Sequence, residues 1–280
     1  MSSISVIIPA FRAHATIARA VRSVLEQERP ADDILIVSDD GTDYAATLGA
    51  AGFADAPLRF ASTGAVGAGP SAGRNVGLAL AKSTLVAWLD ADDIYHPARL
   101  RRLAPLALDH GAAGDNSRVV DDETGRTLAT HFPERGSMLW LDAASFLALS
   151  VPIVCVVRRD LELRWEEDVR LGEDVAYNLK LFDRLVSFPV EDAPLRDYRV
   201  RHGSVCHAEN SAALAEQGYT TMQRHLERDG FGLTRPALRA LFADALAQKI
   251  AFNRAFERAR LAGRVATFQE FVGMMQAEHA

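Results

Sequence analysis

The stretch STLVAWLDADDIYHPARL, residues 83–100, decides the fold. Its short apolar run, residues 85–89, has the length and composition of a buried strand. The run ends in Asp90, Asp92 and Asp93, three carboxylates within four positions that repel one another when ionised. Solvent, a helix N-terminus or a metal ion would offset that repulsion.

The sequence before this stretch alternates between strands and helices. Apolar runs rich in β-branched residues predict strands over residues 4–11, 34–37 and 58–63. Helical spacing predicts one helix over residues 14–27 and another after a Gly-rich loop, with Val76, Ala79 and Leu80 turned inward. This alternation predicts a Rossmann-like, three-layer α/β/α fold with a mostly parallel sheet. Ligands bind such sheets outside the carboxyl ends of the strands.

The pattern changes after Asp93. The sequence predicts a helix over residues 96–111, a hairpin within residues 115–132, a core strand within 151–160 and a helix from residue 173. From about residue 208 onward only helices are predicted. We therefore divide the chain into an α/β domain, residues 1–207, and an appended C-terminal helical segment, residues 208–280.

The composition and charge of the chain argue against some kinds of partner and location. The net charge of −6 and the pI of about 5.8 argue against nucleic acid as a partner. The two cysteines, Cys155 and Cys206, form no disulfide framework, which favours a reducing, cytoplasmic location. No apolar run approaches the ~20 residues that span a bilayer, and residues 1–11 lack the pattern of a signal peptide.

The C-terminal helices leave three alternatives open. Arginines and phenylalanines alternate there, at Arg254, Arg258, Phe252 and Phe256 among others. Such a face suits a peripheral membrane contact or a homodimer. A solvated helix face over a small core explains the same pattern and is the favoured interpretation.

Asp90 and Asp92 are spaced for metal binding. If the strand continues that far, both side chains project from the same face, and two carboxylates on one rigid edge suit Mg²⁺ or Mn²⁺ together with substrate phosphate oxygens. The alternative is that Asp92 or Asp93 caps the following helix while the other carboxylates are solvated.

Two further segments carry candidate site residues. The Gly-rich loop, residues 64–73, brings Gly67, Gly69 and Gly73, whose bare backbone lets a ligand approach closely. The segment GPSAGRNVG, residues 69–77, which leads from this loop into the predicted helix, adds Arg74, whose planar charge suits a phosphate or a base edge. It matches neither the P-loop nor the dinucleotide fingerprint. Glu173 and Asp174 open a helix, where acidic residues stabilise the N-terminus; alternatively one of them is a general base.

Taken together, these segments resemble the family-2 glycosyltransferases of the GT-A fold. The resemblance covers roughly residues 3–207 and rests on the order and spacing of five motifs. These are SVIIPAFRAHATIARAVRSVLEQ, IVSDDGTD, GPSAGRNVGLALAKSTLVAWLDADD, GED and YRVRHGSVCH. They are similar to that family's opening strand and helix, its D-D-G-S-T-D segment, its A-R-N-x-G helix with D-x-D, its E-D motif and its closing Y-R-x-x-x-x-S segment.

The resemblance implies a nucleotide-diphospho-sugar donor, with a UDP-sugar favoured, and transfer to an acceptor hydroxyl with inversion at the anomeric carbon. The acceptor is a glycan, a lipid-linked sugar or a small molecule. Asp92 and Asp90 would bind Mn²⁺ or Mg²⁺, and Asp174 would be the general base with Glu173 beside it. The implied donor-binding residues are Pro9, Phe11, Asp39, Asp40, Arg74, Asp90 and His202.

Some of these assignments have alternatives. An ungapped match gives the nucleobase contact to Asp39, and a gapped match gives it to Asp40. Ser204 or His207 could replace His202 as the diphosphate contact. Phe11 stands where the family often has Tyr, so one hydroxyl contact is lost.

Two competing functions remain. A non-catalytic nucleotide-sugar-binding protein would share the fold, because fold does not fix function. A sugar nucleotidyltransferase would need G-x-G-x-R directly after the first strand, where this chain has PAFRAHA, residues 9–15.

Overall fold

The computed structural model of the protein describes residues 2–149, 151–201 and 211–265, together with residues 271 and 274. The predicted domain boundary after residue 207 and the predicted donor contact His202 lie outside these residues. The chain divides into two compact units. The first comprises Met1–Glu167 and Glu173–Ser204, and the second comprises Asp168–Gly172 and Val205–Ala280.

Four parallel strands form the N-terminal half of the sheet in the first unit. They are β1 (Ile4–Ala10), β2 (Asp33–Ser38), β3 (Leu58–Ser62) and β4 (Leu85–Trp88). Their order across the sheet is β3-β2-β1-β4, and all three pairings are parallel. The connections contain α1 (Ile17–Leu25), α2 (Tyr44–Leu48) and α3 (Pro70–Leu80). The carboxyl ends of these strands therefore meet at one rim.

The sheet continues beyond β4 in the order β4-β9-β6-β10-β5. The elements are β5 (Ile94–Tyr95), α4 (Arg99–His110), β6 (Ala112–Asp121), β7 (Thr127–Thr130), β8 (Met138–Asp142), α5 (Ala143–Leu149), β9 (Val156–Arg158), α6 (Glu173–Leu185) and β10 (Ser187–Val200). Strands β6 and β10 are parallel, whereas β9, β5, β7 and β8 pair antiparallel with their neighbours. The predicted α/β fold and the β6–β7 hairpin are confirmed.

Two glycines set the packing of α3 on the sheet. The prediction that Ala79 and Leu80 face inward is wrong, because both are exposed and Val76 is only half-buried. Instead α3 turns Gly73 and Gly77 toward β1. A Cβ at Gly73 would lie 2.9 Å from Cβ of Pro9, and one at Gly77 would lie 2.4 Å from Ile7. The bare glycine backbone lets helix and strand approach this closely.

From residue 211 onward, the described part of the second unit is mostly helical. It contains α7 (Ser211–Asp229), a short 3₁₀ turn at Gly230–Gly232 and α8 (Pro236–Leu261). Phe256, Ala259, Val265 and Phe271 form a small core, against which Phe252 packs. These phenylalanines therefore face the interior of the unit. Among the described residues, none of the helices is both long enough and apolar enough to cross a membrane.

Candidate functional site

Arginines offset the charge of the three aspartates that follow β4. Each carboxylate pairs with a different guanidinium, a solution that the sequence pattern did not predict. The pairs are Asp90 with Arg74 at 2.7 Å, Asp92 with Arg201 at 3.2 Å and Asp93 with Arg196 at 3.5 Å. The rim at the end of β4 is therefore a mixed cluster of opposite charges.

The alternative that Asp92 or Asp93 caps the next helix is wrong. Helix α4 begins at Arg99, and its N-cap position is Ala98. Asp93 instead accepts a hydrogen bond from the backbone N–H of Arg199 at 2.9 Å. It thereby ties the turn after β4 to the end of β10.

Arg74 joins the strand end to the acidic start of α6. The side chain projects from α3 and is almost fully buried. One terminal nitrogen donates to Asp90 at 2.7 Å and the other donates to Glu173 at 3.2 Å. Although burial opposes its charge, Asp90 and Glu173 together raise the pKa of Arg74. A single buried cation thus holds two candidate site carboxylates in one place.

The pKa values of the other carboxylates at the rim are raised, mainly by partial or full burial. Burial raises the pKa of Asp174, against the stabilising N–H of Val175 and the charge of Arg74. Burial, with Asp90 as a second cause, raises the pKa of Asp92. Burial also raises the pKa of Asp93, against the charge of Arg196. A carboxylate with a raised pKa is a stronger base, which suits proton abstraction.

Asp39 and Asp40 are fully engaged with nearby loops. Oδ1 of Asp39 accepts from the hydroxyl of Thr63 at 2.8 Å, and its Oδ2 accepts from the N–H of Gly69 at 2.8 Å. Asp39 therefore anchors the Gly-rich loop. Although burial opposes its ionisation, the N–H groups of Arg12 and Thr42 lower the pKa of Asp40 far below its usual range.

Pro9 and Phe11 lie at the end of β1, beside the strand that carries Asp39. Pro9 is buried beneath α3, and its Cβ faces Gly73. Phe11 is 43% exposed, and the guanidinium of Arg12 lies 5.0 Å from its ring centroid. An exposed flat ring at this rim offers a stacking surface to a planar ligand.

Strand β4 ends at Trp88, so Asp90 and Asp92 lie beyond the strand and not on one of its faces, as the metal prediction assumed. The two carboxylates nevertheless fit a divalent cation. Their side chains are 36% and 31% exposed, so carboxylate oxygens are accessible at the rim. Carboxylate oxygen is the ligand type that Mg²⁺ and Mn²⁺ prefer. Each aspartate is paired through one oxygen with an arginine in this structure, and a carboxylate has a second oxygen to offer.

The site also contains residues that sequence reasoning missed. Arg196, Arg199 and Arg201 come from the last residues of β10 and the position just after it, and Trp165 lies beneath Arg74. Register shifts on both sides of Pro194 change the course of β10 just before Arg196. The three arginines of RDYRVR, residues 196–201, were the available signal. Their aspartate partners lie far earlier in the chain, at Asp93 for Arg196, Asp122 for Arg199 and Asp92 for Arg201.

Comparison with known families and curated proteins gives consistent matches. Residues 5–173 match the model of Glycosyl transferase family 2. The chain is 30% identical over 220 residues to the succinoglycan biosynthesis protein ExoO of Rhizobium meliloti (strain 1021), covering 72% of this chain and 62% of that protein. It is 28% identical over 160 residues to the poly(ribitol-phosphate) beta-N-acetylglucosaminyltransferase TarP of Staphylococcus aureus (strain N315), covering 54% and 48%. The chain thus spans about half to three-fifths of these relatives.

Solved structures share the fold. The structure of S. aureus TarS 1-349 in complex with UDP-GlcNAc matches with a TM-score of 0.61 at 17% identity, over 89% of this chain and 81% of that chain. The complex of the same protein with UDP matches with a TM-score of 0.60 at 18% identity, over 93% and 92%.

Proposed function

Because the chain belongs to glycosyl transferase family 2, we propose that it transfers a sugar from a nucleotide-diphosphate donor to an acceptor hydroxyl. The observation that carries this proposal is the contact of Arg74 with both Asp90 and Glu173, at 2.7 and 3.2 Å. This contact brings the D-x-D segment and the E-D segment to one rim. A UDP-sugar is the favoured donor, since the TarS structures in complex with UDP and UDP-GlcNAc share the fold.

The donor lies, in this proposal, along the carboxyl ends of β1, β2 and β4. Phe11 stacks on the nucleobase, and Pro9 lines the same pocket. Asp39 or Asp40 contacts the base. Before Asp39 can do so, it must give up some of its hydrogen bonds to the backbone of the Gly-rich loop. Arg74 supplies positive charge near the diphosphate, where negative charge develops as the sugar leaves.

Asp174 is the proposed general base, with Glu173 beside it. It takes the proton of the acceptor hydroxyl while the acceptor oxygen bonds to the anomeric carbon. The bond from that carbon to the diphosphate oxygen breaks with its electron pair, which inverts the configuration. Asp90 and Asp92 would hold Mn²⁺ or Mg²⁺, which when bound stabilises charge on the departing diphosphate. The raised pKa of Asp174 favours the proton transfer.

The domain division and the location remain proposals. We propose that residues 1–207 form the transferase domain and residues 208–280 a helical extension. The internal packing of Phe252 and Phe256 favours a solvated helical face there over membrane contact. The buried free thiol of Cys155 supports a reducing, cytoplasmic compartment.

One experiment tests both donor and activity. Purified protein is screened for thermal stabilisation by nucleoside diphosphates with and without Mn²⁺, because a ligand at 100 times its Kd stabilises by about 2.7 kcal/mol. Donor turnover is then compared for the wild type, Asp174→Asn and the control Asp109→Asn, which removes an exposed charge at the end of α4. We expect the first variant to bind UDP but to lose turnover at least a hundredfold, while the control keeps it.

The second candidate, a non-catalytic nucleotide-sugar-binding protein, gives a different result in the same experiment. It would be stabilised by nucleotide and would show no donor turnover in the wild type. Absence of stabilisation by any nucleoside diphosphate would contradict both candidates.

A further inference from the structure

Trp165 is a buried ring in direct contact with the arginine of the site. It lies in the connection between β9 and α6 and is 5% exposed. The central guanidinium carbon of Arg74 is 4.3 Å from the Trp165 ring centroid. Tyr177 of α6 stacks on the same indole at 4.3 Å with an interplanar angle of 13°. Arg74, Trp165 and Tyr177 thus form one continuous stack.

The main chain of Trp165 is fixed as firmly as its ring. Asn75, the residue after Arg74, accepts a hydrogen bond from the backbone N–H of Trp165 at 2.9 Å. The Asn75 amide donates to the Trp165 carbonyl at 2.9 Å and to Glu167 at 2.8 Å. The arginine and its stacking partner are therefore locked together through adjacent residues of α3.

The Trp165 ring restrains the tilt of the Arg74 guanidinium, which the hydrogen bonds of Arg74 alone do not fix. Within the described part of the chain, Nε of Arg74 and Nε1 of Trp165 are buried without a hydrogen-bond partner. The two terminal nitrogens of Arg74 hold Asp90 and Glu173. Contact between a guanidinium and an indole face is strongest in such a desolvated setting. The stack therefore sets the plane in which Arg74 reaches both carboxylates.

We propose that Trp165 is a positioning residue of the site. It fixes the plane of Arg74, and through Arg74 it fixes the separation between the rim carboxylate Asp90 and the acidic start of α6. This inference rests on the proposed transferase function. An error of about 1 Å in such an arrangement is enough to cost a hundredfold in rate. Trp165 touches no reacting atom in this scheme and acts only by way of Arg74.

A double-mutant cycle separates this role from a general contribution to stability. Donor turnover is measured for Trp165→Leu, Arg74→Lys and the double variant, with Trp165→Phe as the conservative replacement. The matched control is Phe182→Leu, which removes another buried stacked ring of the same unit, 4.6 Å from Phe188. Each variant is also unfolded thermally without ligand, so that the coupling of the two residues is measured independently of turnover.

We expect Trp165→Leu to lower kcat at least tenfold and Trp165→Phe to restore it to within about threefold. In the Arg74→Lys background, Trp165→Leu should cost less than twofold more, because its effect passes through the arginine. Phe182→Leu should lower the melting temperature while its kcat loss adds to that of Arg74→Lys. If Trp165→Leu does not fold, the same cycle is measured with Trp165→Phe and Arg74→Lys, and non-additive kcat losses are again expected.

Two outcomes overturn the inference, and they differ from a failure of the proposed function. Additive losses of kcat for Trp165 and Arg74, with normal wild-type turnover, would show that the ring acts independently of the arginine. A Trp165→Leu variant that keeps wild-type kcat despite a lower melting temperature would show that the ring contributes only to stability. A wild-type protein that binds nucleotide without turning it over would overturn the proposed function, and the positioning role with it.

Discussion

The substitution Gly77→Ala tests how closely the site depends on the approach of α3 to β1. The added Cβ would lie 2.4 Å from Cγ2 and 3.0 Å from Cγ1 of Ile7. Ile7 is fully buried in β1, and its β-branched side chain has few alternative rotamers. Overpacking of this kind costs roughly 1–3 kcal/mol, whereas alanine is favoured over glycine inside a helix by about 1 kcal/mol. We expect the free energy of unfolding to fall by roughly 0–2 kcal/mol.

Gly49→Ala is the matched control for that substitution. Gly49 has helical dihedral angles, φ −58° and ψ −45°, and a Cβ there would meet nothing within 4 Å. Alanine should therefore stabilise this position by about 0.5–1 kcal/mol. Urea unfolding of both variants should place Gly77→Ala roughly 0.5–3 kcal/mol below Gly49→Ala. Donor turnover should fall only in Gly77→Ala, because Arg74 lies one helical turn before the clash. Equal stability of the two variants would refute the reasoning.

Three further predictions follow from single contacts. Asn75→Ala leaves the N–H and C=O of Trp165 without their partner, so the unfolding free energy in urea should fall by roughly 2–4 kcal/mol; a loss below 0.5 kcal/mol would contradict this. Burial lowers the pKa of His131 to about 4, so the native state resists the proton that the unfolded chain takes up below pH ~6.5. Stability should therefore fall between pH ~6.5 and ~4 by on the order of 1–3 kcal/mol, and His131→Leu should flatten that decline in pH-dependent unfolding; an unchanged slope would exclude His131 as its source. Asp92→Asn should weaken Mn²⁺ binding at least tenfold in calorimetric titration, whereas unchanged affinity would place the ion elsewhere.

The strands of the parallel half could be predicted because each is marked by residues that are consecutive in the sequence. β1, β2 and β4 are continuous apolar runs, as expected for strands buried on both faces. The acidic residues that follow two of them mark the rim in the sequence. The predicted core strand within residues 151–160 shortens to Val156–Arg158 because β9 pairs with β4 and β6 through only two residues each.

The packing of α3 and the charge pairing at the rim could not be read from the sequence. Periodicity assigns bulky residues to the core, but in α3 the closest approach is made by glycines, so Ala79 and Leu80 face outward. The arginine partners of the aspartates that follow β4 could not be predicted from the sequence either. Arg199 lies 106 positions from Asp93, and no local pattern fixes a contact of that range. The roles of Asp39, Asp90, Asp92, Glu173 and Asp174 stay predictions.

The bridge made by Arg74 has a consequence for how the protein is made. Its two partners lie 16 and 99 positions further along the chain. At synthesis rates of ~5–20 residues per second, about 5–20 s separate the appearance of Arg74 on the ribosome from that of Glu173. During most of that interval the nascent chain has β1, β2, β3 and β4 but neither α6 nor β10. The rim is completed only after α6 and β10 have followed, because Arg196 and Arg201 supply the partners of Asp93 and Asp92.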